Sequence, residues 1–345
     1  MAQTKTISFI IPAYNSENYL YRCLNSFLYT ENTNSKIEVI IVNDGSTDRT
    51  EEIGMGFVRR NPDIFKIINK RNGGHGSAIN EGASSAKGTY LKVVDSDDWI
   101  ITKNLESYIS MLEATAADVI LTPYLFYNIQ DQVSRPCSYS NKYSSSFFTL
   151  SDVCGHWHDI KELFTIHGIT YRTEFYREKS RKLTENVFYD DQEYTTIPCC
   201  YAKTLYFSSI FLYVYRIGDQ RQSISEKNQA MRIEHLEKVV LSMGRYYGQS
   251  RERLQSAEKM FYLYKMEIAL LSYYRVSCLL LPNRKQGRRA ARRMNAVTKV
   301  WGCSLWKRIR GKYHVFILLN WFHISSEQYR FVLDSGFYRR VRKLL

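Results

Sequence analysis

The chain has 345 residues, 44% of them hydrophobic, and a formal net charge of +14. That length exceeds one ordinary domain and that apolar fraction is ample for a buried core, so a disordered or fibrous chain is excluded. No apolar stretch reaches the roughly 20 residues of a membrane-spanning helix; the longest candidate, "IALLSYYRVSCLLL", is short and carries Arg275.

The opening "MAQTKTISFIIPAYN" runs straight into a strand and has no signal-peptide layout. Short segments rich in β-branched residues follow, "TISFIIP", "IEVIIVN", "FKIINK" and "TYLKVVD", each bounded by turn formers. Between them lie helical stretches, "SENYLYRCLNSFLYT", "DRTEEIGMGFVRR" and "HGSAINEGASSA". The first places Tyr19, Cys23 and Phe27 on one face, and Ser46 or Thr47 is placed to cap the second. A fifth strand, "DVILTPYLFYN", is expected after Asp118, then a polar loop or edge hairpin over residues 130–149. From Ala230 onward the pattern is helical and amphipathic with basic faces. Alternating strands and helices predict an α/β fold with a mainly parallel sheet. Ligands of such sheets sit beyond the carboxyl ends of the strands.

Charge divides the chain. Up to Gly244 there are 26 Lys/Arg against 29 Asp/Glu, and from Arg245 there are 22 against 5. The split separates two domains, taken as residues 1–228 and, where the pattern turns helical, a basic amphipathic extension over 229–345. Seven cysteines, an odd number without metal-like spacing, read as reduced thiols in a cytoplasmic protein.

Three strands end in polar signatures: Pro12-Ala13-Tyr14-Asn15, Asn43-Asp44-Gly45-Ser46 and Asp95-Ser96-Asp97-Asp98. Parallel pairing brings these ends to one rim. Like charges about 4 Å apart repel by roughly 4 kcal/mol at an effective dielectric near 20, so three carboxylates in four residues call for a counter-charge. Divalent Mg²⁺ or Mn²⁺ is held by one or two carboxylates together with substrate phosphates. Along an extended chain Asp95 and Asp97 would point one way and Asp98 the other. The stretch "NKRNGGHGSAINEG" lacks the Gly-Lys-Ser/Thr ending of a Walker loop and does not directly follow the first strand, which weakens nucleoside-triphosphatase and dinucleotide readings. Its glycines Gly73, Gly74 and Gly76 still allow close backbone approach at a helix N-terminus.

Taken in order, "IIPAYN", "VIIVNDGSTD", "NGGHGSAINEG", "GTYLKVVDSDDW", "FYDDQEY" and "YVYRIGDQRQSIS" resemble glycosyltransferase family 2 over roughly residues 6–225. The resemblance implies a GT-A fold and a nucleotide-activated sugar donor. It implies a nucleoside pocket lined by Pro12, Ala13 and Tyr14, with Asp44 accepting from the N3–H of a base such as uracil. Asn72 and Gly73 would face the donor, Asp95 the ribose and Asp98 the donor-sugar side. Asp97 would hold the metal and Arg216 the diphosphate, with Arg221 and Ser223 on the same late loop. Asn43 stands where the family often has Asp. The acidic pair, usually Glu-Asp, is here Asp190-Asp191, and Asp191 matches the catalytic base, with Glu193 as substitute. The reaction implied is an inverting transfer from a UDP-sugar to an acceptor hydroxyl, of the hexosyl- or N-acetylhexosaminyltransferase class, in cell-surface polysaccharide or glycan synthesis.

Other features stay open. His75 reads as a donor contact or an ordinary loop residue. Cys154, His156 and His158 in "CGHWHDI" lack a fourth ligand for zinc. The basic C-terminal third suits solvated helix faces, or peripheral attachment to the anionic inner face of a plasma membrane with Trp301, Trp306, Trp321 and Phe322 at the interface. A lipid-linked or glycan acceptor fits that location, and a homo-oligomer is left open. No nucleic-acid module is present, so no nucleic acid is expected. The alternatives are an inactive sugar-nucleotide-binding scaffold, or a nucleotidyltransferase on a similar sheet.

Overall fold

The computed structural model of the protein describes residues 5–334. The strands are β1 (Ile7–Ala13), β2 (Ile37–Asn43), β3 (Phe65–Asn69), β4 (Tyr90–Val93), β5 (Trp99–Ile100), β6 (Val119–Leu121), β7 (Tyr124–Asn128), β8 (Val133–Cys137), β9 (Ser146–Phe148), β10 (Ile169–Arg172), β11 (Leu205–Phe207) and β12 (Tyr213–Ile217). Eight of them form one sheet in the order β3-β2-β1-β4-β10-β6-β11-β9, and the other four form a second in the order β5-β12-β7-β8.

The four strands expected early in the chain pair in parallel. Every residue of β1 and β2 is buried, which explains why these strands read as unbroken apolar runs rather than alternating ones. Their register sets Ala13 opposite Asn43, so both chains leave the sheet at one level. The helix His75–Ser85 packs against β1 closely enough that a Cβ on Gly82 would lie 2.3 Å from Cγ2 of Ile10.

Two local expectations need correction. The helix Thr50–Arg60 is capped neither by Ser46 nor by Thr47; Oδ1 of Asp48 accepts the Thr50 amide at 3.0 Å. The single strand expected over residues 118–128 is two, β6 in the large sheet and β7 in the small one. The chain changes sheets at Thr122-Pro123, where proline has no N–H to offer a ladder.

Strand β10 runs antiparallel between β4 and β6, and so inserts a late segment beside the early parallel strands. The buried Lys92 of β4 fastens its entry, donating to the carbonyls of His167 at 2.7 Å and Ile169 at 3.1 Å. In the second sheet β12 pairs with β5, which begins one residue after Asp98.

The described residues divide into two compact units. One runs to Asp219 and includes Gln255–Phe261; the other takes Gln220–Leu254 and continues from Tyr262. The second unit is helical, with long helices Ile233–Ser250, Arg284–Trp301 and Cys303–Trp321. Trp301 is buried there, its ring so near Gly244 that an added Cβ would lie 2.3 Å from it, and it offers nothing to an interface. Among the described residues no helix is long and apolar enough to cross a membrane.

Candidate active site

One end of the rim is built on backbone. Both oxygens of the buried Asp44 are engaged: Oδ1 accepts the Gly73 amide at 2.9 Å and the Lys70 ammonium at 2.8 Å, and Oδ2 accepts the Gly74 amide at 2.7 Å. Gly74 adopts φ +86°, a left-handed conformation that costs glycine little, and a Cβ there would meet the Asn186 amide nitrogen at 3.1 Å. The Asn186 amide in turn donates to Gly73 O at 2.6 Å, tying the glycine loop to the segment before the acidic step. Pro12 and Ala13 are buried at the end of β1, while Tyr14 and Asn72 are exposed. Asn43 accepts the Ser46 amide and donates to Asn69, so the residue found in place of the family's Asp shapes the turn.

The triple carboxylate does not alternate as an extended chain would. The Asp98 amide donates to Asp95 O at 3.0 Å, closing a turn over residues 95–98. That turn brings Asp95 and Asp98 to one side and sends Asp97 toward Nη1 of Arg216, 3.9 Å away. Asp98 is fully enclosed: Tyr213 Oη donates to its Oδ2 at 2.5 Å and the Arg216 amide to its Oδ1 at 2.7 Å. Burial, then the charges of Asp97 and Asp95, raise its carboxyl well above the ordinary carboxylate range. Arg216 stacks over Tyr19 at 4.6 Å and pairs with Asp219 at 2.9 Å. Arg221 and Ser223 belong to the other unit.

His75 bridges two acidic segments, with Nδ1 2.9 Å from Asp190 Oδ2 and Nε2 3.0 Å from Asp95 Oδ1. Burial opposes its charge, but the Asp190 carboxylate and the hydrogen bonds to Asp190 and Asp95 prevail and hold it well above the ordinary histidine value. Asp190 is buried, whereas Asp191 opens the short helix Asp191–Tyr194 and is half-buried. Glu193 is buried and spends its oxygens on the amide and hydroxyl of Thr184, so it serves the loop rather than a substrate. Burial, then the charges of Asp98, Asp95, Asp97 and Asp191, push the Tyr215 phenol upward.

Tyr213, Tyr215 and Lys92 lie within the motifs "YVYRIGDQRQSIS" and "GTYLKVVDSDDW" without a role read for them, and His167 lies outside every motif. His167 lies just before β10 with its Nε2 3.9 Å from Asp95 Oδ2 and 4.0 Å from Asp98 Oδ2. Its ring stacks on Tyr215 with centroids 3.9 Å apart, and burial lowers its pKa to about 4. Burial likewise lowers Lys92 to about 7. The motif "CGHWHDI" forms no metal cluster among the described residues: Cys154 Sγ contacts Ala257 O, and His156 Nδ1 lies 2.9 Å from Asp152 O.

A family model described as Glycosyl transferase family 2 matches residues 8–183, more than half of the chain. The chain is 27% identical over 243 residues to the uncharacterized glycosyltransferase EpsJ of Bacillus subtilis, covering 70% of each. It is 38% identical over 122 residues to glycosyltransferase GlyA of Streptococcus pneumoniae, covering 35% of this chain and 17% of that one. It is 46% identical over 94 residues to the chondroitin synthase of Pasteurella multocida, covering 27% and 9%. The chain therefore spans only a small part of the last two relatives.

Among solved structures, S. aureus TarS 1–349 in complex with UDP-GlcNAc is similar with a TM-score of 0.64 at 18% identity, over 94% of this chain and 91% of that one. The mannosyltransferase PcManGT from Pyrobaculum calidifontis, in complex with GDP-Man and Mn²⁺, gives 0.52 at 12% identity over 93% and 86%. At such identities the likeness is one of fold, and that fold is the GT-A arrangement implied by the motifs. The match of the family model over more than half of the chain and the glycosyltransferase relatives lead to one assignment: the chain belongs to glycosyltransferase family 2 and is a sugar-transferring enzyme.

Proposed function

We propose that the protein is an inverting, metal-dependent glycosyltransferase that moves a sugar from a UDP-sugar to an acceptor hydroxyl in surface-polysaccharide synthesis. The observation that carries this reading is the bridge by which His75 joins Asp95 to Asp190, next to Asp191, while Asp97 of the same acid triplet lies 3.9 Å from Arg216. Pro12, Ala13 and Tyr14 line the nucleoside pocket. Asp44, Asn72 and Gly73 form its floor, and Asp95 meets the ribose. Asp98 shapes the donor-sugar side through its bond to the Arg216 amide. Arg216 reaches the diphosphate, where a planar guanidinium suits phosphate oxygens.

Crowded carboxylates, one of them pushed toward protonation by its neighbours, suit a hard divalent cation, and Asp97 with Asp95 would hold it. When bound, Mn²⁺ or Mg²⁺ supplies positive charge to the leaving diphosphate. Asp191, half-buried and at a helix start, takes the proton of the acceptor hydroxyl as that oxygen attacks the anomeric carbon from the face opposite the nucleotide. Such a base contributes ~10²–10⁴-fold. The enclosed Glu193 leaves Asp191 the better-placed carboxylate of its helix for this task.

We place the enzyme at the cytoplasmic face of an anionic membrane. Residues 284–321 hold eleven Lys/Arg and no Asp or Glu. On the helix Cys303–Trp321 the exposed Val315 and Leu318, continued by Phe322, share a side with exposed Lys307 and His314. The deciding experiment is a calorimetric screen of UDP- and GDP-sugars with Mn²⁺, followed by NMR of the product formed from the best donor. Transfer with the anomeric configuration reversed supports the reading. Retained configuration, or release of pyrophosphate instead of a nucleoside diphosphate, overturns it.

A further inference from the structure

We propose that His167 is a nitrogen ligand of the cation that Asp95 and Asp97 hold, and that its imidazole makes the site favour Mn²⁺ over Mg²⁺. The inference rests on the metal-dependent reading above and adds a residue that the acidic motif does not contain.

One ligand atom from each of Asp95, Asp98 and His167 lies within 4.8 Å of the other two. His167 Nε2 stands 3.9 Å and 4.0 Å from the two carboxylate oxygens, too far for a hydrogen bond to either. Two ligands sharing one ion are separated by at most twice the bond length, about 4.2 Å for bonds near 2.1 Å. The nitrogen therefore sits at a spacing that a bridging ion satisfies and direct contact does not.

The ring is not loosely placed. It stacks on Tyr215, lies 5.0 Å from the Tyr213 ring, and its own carbonyl is held by the buried Lys92. Its other nitrogen, Nδ1, is buried with no hydrogen-bond partner among the described residues. A packed imidazole presented to two carboxylates without bonding either is a positioned donor. Carboxylates alone suit Mg²⁺ and Mn²⁺ alike, whereas imidazole moves preference toward a transition metal.

The test is pulsed EPR of the full chain loaded with Mn²⁺, with and without UDP, using protein labelled with ¹⁵N only at histidine. Direct Mn–¹⁵N coupling in the wild type, lost in His167→Gln and kept in His75→Gln, is the expected result. Competition between Mn²⁺ and Mg²⁺ should show the Mn²⁺ preference falling about tenfold in His167→Gln. Mn²⁺ binding without histidine coupling, or coupling that disappears only in His75→Gln, overturns the proposal and leaves metal dependence standing. Failure of the wild type to bind Mn²⁺ under either condition overturns both. The wild-type coupling is read without any variant, so a His167→Gln protein that fails to fold does not remove the test.

Discussion

The Nδ1 of His75 lies 2.9 Å from the Oδ2 of Asp190, 115 positions further along the chain. The contact locks the glycine loop to the acidic step. It also makes stability depend on pH in a definite sense. The folded-state pKa of His75 is raised well above 6.5, so its stabilisation is complete below that value and disappears as pH climbs through the raised one. His75→Gln should therefore cost most below about pH 6.5 and least in alkaline solution. Melting temperatures of both proteins from acid to alkaline buffers check this; a gap that does not narrow with rising pH refutes it.

Asp191→Asn should lower kcat by ~10²–10⁴-fold and leave UDP affinity unchanged, because the lost group acts only on the acceptor proton. Glu193→Gln should behave differently. That carboxylate accepts the Thr184 amide and hydroxyl inside the fold, and weakening it should appear as lower stability, about 1–3 kcal/mol. Steady-state kinetics alongside urea unfolding separate the two roles. An Asp191→Asn enzyme with full turnover removes the base assignment.

Lys92→Met leaves the carbonyls of His167 and Ile169 without their donor, at roughly 1–3 kcal/mol for each group left unpaired. Here the pH trend is opposite to that of His75. The folded pKa of about 7 lies below the ordinary lysine value of 10.5, so the penalty for burying the ammonium is complete below about pH 7 and lifts as pH rises toward 10.5. The variant should thus lag the wild type most in alkaline buffer. Urea midpoints near neutrality and near pH 10 measure the lag, and an equal lag at both contradicts the burial argument.

Gly82→Ala should destabilise by ~1–3 kcal/mol, since the new methyl would enter the space of the fully buried Ile10. Pairing it with Ile10→Val makes room. Partial recovery in the double variant identifies overpacking as the cause, and its absence points elsewhere.

Vesicles rich in phosphatidylserine should bind the protein, and neutral vesicles should not. Reversing Arg289, Arg293 and Lys307 to Glu should cost at least about 1 kcal/mol per position. Replacing Val315, Leu318 and Phe322 with Ser should weaken binding with less change in its salt dependence. Equal sedimentation with charged and uncharged vesicles defeats the membrane reading.

The rim was legible because its first half is local. Each of β1, β2 and β4 is an apolar run that ends in residues unsuited to a core, and parallel pairing does the rest. The direction of Asp97 and Asp98 was not legible, since a turn stabilised by the Asp98 amide replaced the extended chain on which alternation depends. His167 was hidden for a different reason. Its place beside Asp95 is set by the antiparallel insertion of β10 next to β4, a pairing that no nearby residue announces. Trp301 looked like an interfacial aromatic on composition, but the absence of a side chain at Gly244 gives it a berth inside the second unit.

The bond from Tyr213 to Asp98 spans 115 residues. During synthesis the acid triplet thus leaves the ribosome long before the phenol that encloses it, and before His167 and Asp190 as well. A nascent chain halted ahead of Tyr213 would carry the acid triplet without the phenol that bonds Asp98. Enclosure of Asp98 therefore waits for β12, whatever the early strands have formed by then.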